Sequence, residues 1–402
     1  MQTPSNVEDT PQRLLKAFDE TFRTRPDFLV RAPGRVDLIG THTDYNDGWV
    51  LPAAITRTVW LAVKALAGPR AVIKAVDMGE NATVDLGEPT RIKSSIGRDL
   101  PAWVAYPAGV AWSLQESGLA TSGCQIALAS SVPVGAGLSS SAAVEVAYGL
   151  AWTHIAGHKV DKMKLAQMCQ RAENQYVGVN SGLMDQFASL FGKADHALLF
   201  DCRTLEWEAV PLPSNVVLVI VDTGTRRSLS NSHYNERRAD CEEAVRVLKT
   251  VLPDIRALRD VSPEAFEEYK HLIPVPPRHR AAHIIAENAR VLAAAAALRK
   301  GDVAELGHLM DEAQISSRDL FDASGPEMNT MWQDSHGHPA RLGGRFVGGG
   351  WAGCMVYLVK AEGSDDFADF LSRRYHKDTG ITPTIYTMQA AEGAEVIAVE
   401  SI

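Results

Sequence analysis

Apolar residues along the chain follow two spacings, one helical and one of short continuous runs. Between residues 11 and 24, Leu14, Leu15, Phe18 and Phe22 share one side of a helical period, which predicts an amphipathic helix. Residues 58–67 and 70–76 are apolar runs parted by Gly68-Pro69 and read as strands joined by a turn. Residues 100–115 return to helical spacing and carry Trp103, Tyr106 and Trp112, while 124–129 form another short run, read as a strand. Further helices are predicted over 161–177, 231–252, 263–272, 281–300 and 302–320, and strands over 197–200, 216–221 and 354–359. The closing ITPTIYTM is also strand-like. With 402 residues the chain is too long for one ordinary core, so two domains are expected. The PLPSN segment, residues 211–215, is the best boundary, giving an N-terminal domain of residues 1–212 and a C-terminal domain of 213–402.

The pattern breaks most sharply in residues 31–52, RAPGRVDLIGTHTDYNDGWVLP. Val36, Leu38 and Ile39 precede, and Trp49, Val50 and Leu51 follow, a run of seven hydrogen-bonding side chains from Thr41 to Asp47. Such a loop between two strands suits a polar ligand. A solvated turn is the alternative, because Asn-Asp-Gly favours turns, but it requires only Asn46, Asp47 and Gly48. Arg35, His42 and Asp44 are left over.

Composition narrows the choice of partner. A net charge of −9 argues against nucleic acid, whose phosphates call for a basic face. Five scattered cysteines without a CxxC pair indicate neither a disulfide framework nor a zinc site, and reduced thiols point to the cytoplasm. The first residues lack the apolar core of a signal peptide, and no stretch reads as long enough to span a membrane.

Three more stretches carry candidate chemistry. In VPVGAGLSSSAAVEVAYG, residues 132–149, Gly135 and Gly137 precede Ser139, Ser140 and Ser141 and an Ala-rich helical pattern. A helix N-terminus offers free N–H groups and partial positive charge to phosphate, and serine hydroxyls add donors or a metal ligand. An ordinary N-capped helix after a tight turn uses the same residues. Neither the P-loop pattern nor the third glycine of a dinucleotide fingerprint is present. In GVNSGLMDQFASLF, residues 178–191, Asp185 lies among Leu183, Met184, Phe187 and Leu190, so it is paired, functional, or exposed opposite an apolar face. In RFVGGGWAGCMVYLV, residues 345–359, Gly348, Gly349, Gly350 and Gly353 precede a strand, as a hairpin or bulge cluster or as a close backbone approach to a ligand.

Three glycine-bearing motifs in this order, without a Walker lysine, resemble the GHMP family of small-molecule kinases, and within it the galactokinases. GRVDLIGTHTDYNDGWVLP is similar to the galactokinase signature, VPVGAGLSSSAAVEVA to the family's phosphate loop, and GLMDQFASLFGKADHALLFDCRTLE to the segment with its catalytic aspartate. VGGGWAGCMVYLV resembles the third motif and QAAEGAEVI the usual C-terminal end. The resemblance implies an α+β two-domain GHMP kinase architecture: an N-terminal domain like ribosomal protein S5 domain 2, a ferredoxin-like C-terminal domain, and the active site between them. It implies transfer of the ATP γ-phosphate to the anomeric hydroxyl of α-D-galactose, as in Leloir-type galactose metabolism, with Mg²⁺, by a cytoplasmic monomer. By match, Asp185 orients or deprotonates the hydroxyl and Arg35 neighbours it and the transferring phosphate. Ser141 and Glu173 match the Mg²⁺ positions. Gly135, Gly137, Ser139, Ser140 and Ser141 match the phosphate cradle, and Trp103 and Tyr106 the adenine pocket. Thr41, His42, Asp44, Gly182 and Tyr234 match the sugar side.

The chain departs from that pattern at three places. Asp37 stands where the signature has Asn, Thr41 where it has an acidic residue facing the sugar's 6-hydroxyl, and Ala352 where a glycine is usual. The change at Thr41 raises the alternative of a sugar 1-kinase for galacturonate or another C6-altered sugar. A further alternative is a non-catalytic sensor of galactose and ATP, against which the intact serine loop, Arg35 and Asp185 stand.

Overall fold

The computed structural model describes residues 9–87, 101–226 and 234–401. The polar first residues, the start of the 100–115 helix and the start of the 231–252 helix lie outside the described residues. The larger sheet is built from β1 (Phe28–Ile39), β2 (Trp49–Ala65), β3 (Arg70–Ala75), β4 (Glu80–Asp85), β5 (Cys124–Ser130), β6 (His196–Asp201), β7 (Trp207–Pro211) and β12 (Glu395–Ala398). Its order is β12-β1-β2-β5-β3-β4, with β6 on β2 and β7 on β6. Only β3 and β5 run parallel among these strands.

β1 is buried at nearly every position because both of its faces are covered. Phe28, Val30 and Ala32 face a core built with helices α2 (Ala105–Glu116), α3 (Ser140–Ile155), α4 (Lys162–Arg171) and α5 (Met184–Phe191). Leu29 turns the other way and joins Leu14 and Phe18 of helix α1 (Thr10–Phe22). Midway, Pro33 and Gly34 interrupt the β1–β2 register. The irregularity re-aims the strand, as bulges do, and delivers Arg35 toward Asp185 and Asp37 toward Gly348 of the second half. Gly34 is required there, since a Cβ would come 2.6 Å from the carbonyl of Leu138.

The smaller sheet holds β8 (Val216–Asp222), β9 (Arg341–Phe346), β10 (Cys354–Lys360) and β11 (Thr384–Met388) in the antiparallel order β11-β8-β10-β9. Helices α6 (Tyr234–Leu248), α7 (Pro263–Tyr269), α8 (Pro277–Arg299), α9 (Val303–Ser316) and α10 (Pro326–Asp334) connect its first two strands, and α11 (Ser364–Thr379) its last two. Fourth strand beside first, then third, then second, is the ferredoxin-like arrangement. Alternation along β8 splits its side chains between two cores. Val216, Leu218 and Ile220 join the core of the larger sheet, and Val219 and Val221 face α11. One continuous apolar cluster therefore ties the halves together beneath the cleft.

The chain crosses from one sheet to the other between β7 and β8, within residues 212–215. It also returns: β12, which a division at 212 assigns to the second half, pairs with β1, Phe28 opposite Ala398. The expectation that no stretch reaches membrane-spanning length needs correction. α8, with 23 residues, is long and apolar enough by length and composition. Most of it is buried against α6, α9 and β2, and the run Ala293–Ala297 reflects that packing.

α5 places Asp185 in its first turn, and its anchor is Phe187, fully buried and stacked on Phe200 with ring centroids 3.9 Å apart. Phe187→Ala is expected to lower the unfolding free energy by about 3–5 kcal/mol, the range for large-to-small core changes, read as a shift of the urea midpoint. A shift under about 1 kcal/mol would show that the stack does not fix α5.

Candidate active site

A cleft of about 1740 Å³ opens between the two halves. Fourteen of the fifteen residues singled out above line it, from Arg35 and Asp44 to Trp103, Ser141 and Tyr234. Gly182 does not line it, yet it shapes it: a Cβ on Gly182 would fall on the carboxylate of Asp44.

At the centre, Arg35 Nε donates to Asp185 Oδ1 at 2.8 Å, and Nη2 lies 2.7 Å from the same oxygen. Nη1 donates to the carbonyl of Gly137 at 2.8 Å. Burial works against the charge on Arg35, but Asp185, Asp37 and Asp44 outweigh it and hold its pKa above the ordinary value. The second oxygen of Asp185 accepts the hydroxyl of Ser139. Ser139 thus spends its side chain on the aspartate. It sits at the N-cap of α3 with φ 55°, left-handed, and makes no capping bond. Among the described residues nothing caps the first N–H groups of α3, beside Ser140 and Ser141, as an anion site needs. Gly137, at φ 82°, is pressed against Val347, whose carbonyl a Cβ would approach to 2.8 Å.

Beyond α3, the 161–177 helix pattern resolves into α4 and a π turn, Ala172–Val177. That turn puts Glu173 into the cleft wall, where Ser141 Oγ lies 3.3 Å from its Oε1. Ser181 and Gln186 donate to its other oxygen, and Gln186 also reaches Glu145 at 2.9 Å. Burial first, opposed by those donors, leaves the Glu173 carboxyl above its usual pKa. A hydroxyl and one carboxylate beside a phosphate cradle fit Mg²⁺, which takes one or two carboxylates and completes its shell with phosphate oxygens and water. Among the described residues no group of three His, Cys, Asp or Glu side chains forms an all-protein cage. Trp103 and Tyr106 flank the outer cleft, and Trp103 Nε1 donates to Glu80 at 2.7 Å.

The signature loop closes the other end. His42 Nε2 donates to the carbonyl of Gly349 at 3.2 Å, which leaves Nδ1 to accept from Tyr45 Oη at 3.0 Å. Burial, then repulsion from His283, pushes its pKa down to about 3, so the ring is neutral. Tyr234 packs on both rings, with centroids 5.1 Å from His42 and 5.4 Å from Tyr45. Asp44 accepts the N–H of Tyr45 at 2.9 Å. Burial, reinforced by Asp185, pushes the Asp44 pKa up to about 7. Thr41 borders the cleft, but its hydroxyl is committed: it donates to Asp37 and accepts from Arg345.

A profile of the GHMP kinases N terminal domain matches residues 105–193, and one of the galactokinase galactose-binding signature matches residues 16–65. A galactokinase of Roseiflexus sp. (strain RS-1) is 41% identical over 380 residues, spanning 94% of this chain and 95% of that protein. One of Chloroflexus aggregans (strain MD-66 / DSM 9485) is 40% identical over 382 residues, covering 95% and 96%. The chain belongs to the galactokinase family. The crystal structure of Lactococcus lactis galactokinase complexed with galactose matches with a TM-score of 0.90 at 30% identity, over 96% of this chain and 99% of that one. The fold is therefore the α+β GHMP kinase architecture, and the protein is an ATP-using sugar kinase.

Several residues of this galactokinase-family cleft escaped the sequence. Asn288 on α8 accepts the N–H of Trp49 at 3.0 Å and fixes the exit of the signature loop. Gln186 joins Glu145 to Glu173; its position next to Asp185 was the one available signal. Arg345 and Glu287 meet the loop from far along the chain. Because Asp44 holds its proton up to about pH 7 when folded, against an ordinary value of 3.8, its contribution to stability falls as pH rises between those values. Asp44→Asn is therefore expected to raise the urea midpoint over wild type at about pH 8 and leave it level at about pH 4. An equal difference at both would contradict the raised pKa.

Proposed function

We propose that this chain transfers the γ-phosphoryl group of ATP to the anomeric hydroxyl of α-D-galactose, giving galactose 1-phosphate and ADP. The observation that carries the reading is the Arg35–Asp185 pair, set between the N-terminus of α3 and the signature loop. Phosphoryl transfer asks a protein mainly for positioning and charge neutralisation. Asp185, anchored through one oxygen by Arg35 and through the other by Ser139, orients the hydroxyl and accepts its proton. Arg35 stays charged and meets the charge that develops on the transferring group. Gly135, Gly137, Ser140 and the free N–H groups of α3 cradle the phosphates, and Trp103 and Tyr106 receive the adenine. Mg²⁺, held by Ser141 and Glu173, would neutralise phosphate charge. Asp44, propped by Gly182, accepts sugar hydroxyls when ionised, with His42, Thr41 and Tyr234 bordering the sugar.

Galactose is preferred over a uronate for a specific reason. Among the described residues the cation that meets Thr41 is Arg345, and Glu287 at 3.0 Å already answers its charge. Among those residues no unpaired positive group waits there for a sugar carboxylate. A sensor without activity is disfavoured by the completeness of the Arg35–Asp185–Ser139 constellation. The division at residue 212, with β12 returning to the first domain, leaves the site between two units. Free cysteines, four of them buried, and apolar exposures scattered singly suit a monomer in a reducing cytoplasm.

ADP release is to be followed with galactose, galacturonate, glucuronate, fucose and glucosamine, each with Mg-ATP. Galactose is expected to give the highest kcat/KM; turnover of a uronate without turnover of galactose would overturn the substrate. Asp185→Asn is expected to lower kcat by about 10²–10⁴-fold, the usual worth of a general base, while galactose binding by calorimetry changes little. Near-normal kcat would remove Asp185 from the transfer step.

A further inference from the structure

Behind the signature loop, four side chains are withdrawn from water: Asp37, Glu287 and Arg345 at 0% exposure and Thr41 at 2%. They come from three distant elements, β1 with its loop, α8 and β9. Arg345 Nη1 lies 3.0 Å from Glu287 Oε1, and Nη2 donates to the Thr41 hydroxyl. Thr41 in turn donates to Asp37 Oδ2, which is 3.9 Å from the guanidinium. Asp37 Oδ1 accepts the N–H of Gly348 at 2.9 Å. Gly348 lies directly on the phosphate loop, where a Cβ would come 2.7 Å from the carbonyl of Gly137. That carbonyl holds Nη1 of Arg35. An unbroken series of contacts therefore runs from Arg345 through Thr41, Asp37, Gly348 and Gly137 to Arg35 and Asp185.

We propose that Asp37 and Thr41 form one positioning unit, which answers Arg345 on one side and, through Gly348 and Gly137, sets Arg35 on Asp185 on the other. They are also the two positions at which the signature loop departs from its usual residues. The unit presents one carboxylate and one neutral oxygen to Arg345. Glu287 is shared with Arg290, whose Nε lies 2.7 Å from its other oxygen, so a second carboxylate would set three acids against two cations, and none would leave Glu287 to answer both; either imbalance is costly without solvent. A carboxylate moved from position 37 to position 41 keeps the count, and Asn at 37 still offers an oxygen to Gly348. The two sites are thus coupled, and neither needs to touch substrate. The catalytic part of the proposal rests on the galactose 1-kinase reading.

The test compares Asp37→Asn, Thr41→Glu, the double Asp37→Asn/Thr41→Glu, Thr41→Val and Thr41→Ser. Asp37→Asn, Thr41→Glu and Thr41→Val are expected to lower kcat by about ten- to a hundredfold, with KM for galactose and Mg-ATP held within about threefold, as for misplaced catalytic groups. The double variant and Thr41→Ser are expected to recover most of the wild-type kcat. A Thr41→Val enzyme with wild-type kcat, or a double variant no better than the worse single, overturns the proposal. Should Asp37→Asn fail to fold, the Thr41→Val and Thr41→Ser pair decides it. If the wild-type protein does not phosphorylate galactose, that reading fails, and urea midpoints of the same variants still test the unit. Singles that lose stability and a double that regains it support the pairing; additive losses overturn it.

Discussion

A buried guanidinium and a partly exposed carboxylate on the floor of an open cleft must be held on every side, or each will swing toward water. Arg35 is 3% exposed, and each of its terminal groups has a fixed acceptor: Asp185 for Nε and Nη2, Gly137 for Nη1. Strand β1 carries the arginine, helix α5 carries the aspartate, and the phosphate loop closes between them. The third glycine loop presses on that phosphate loop from behind, at Gly348 and again at Gly353, where a Cβ would come 2.7 Å from Ala136 O. Glycines gather there because backbone meets backbone without room for side chains.

Charge balance follows from the same pair. Asp37, Asp44 and Asp185 all act on Arg35, more negative charge than one guanidinium answers. Asp44, pushed up first by burial and then by Asp185, holds a proton to about pH 7 and so limits that excess. Asp37 is relieved on its far side by Thr41, Arg345 and the N–H of Gly348. The signature loop and the α3 end of the cleft are thus electrostatically joined through Arg35.

Much of the frame was legible in the sequence. The Ala-rich stretch after Ser139 became α3, the apolar runs became β2, β3, β5, β6, β8 and β10, and the loop from Thr41 to Asp47 did close a cleft. What stayed hidden depends on distance along the chain. Arg345 meets Thr41 across 304 residues, and no local period announces such a contact. The return of β12 to β1 is hidden for the same reason. One local detail was also hidden: a left-handed backbone turns the Ser139 hydroxyl onto Asp185, a contact that no sequence pattern announces. The π turn holding Glu173 looks, in sequence, like the end of an ordinary helix.

The central claim, that Arg35 supports the transferring charge beside Asp185, is tested most directly by single-turnover transfer from ATP to galactose in a folded Arg35→Ala variant, with and without free guanidinium. The account predicts a rate lowered by about 10³-fold or more, as for other arginines at phosphoryl transition states, and partly restored by guanidinium. A variant that transfers phosphate at the wild-type rate would contradict it.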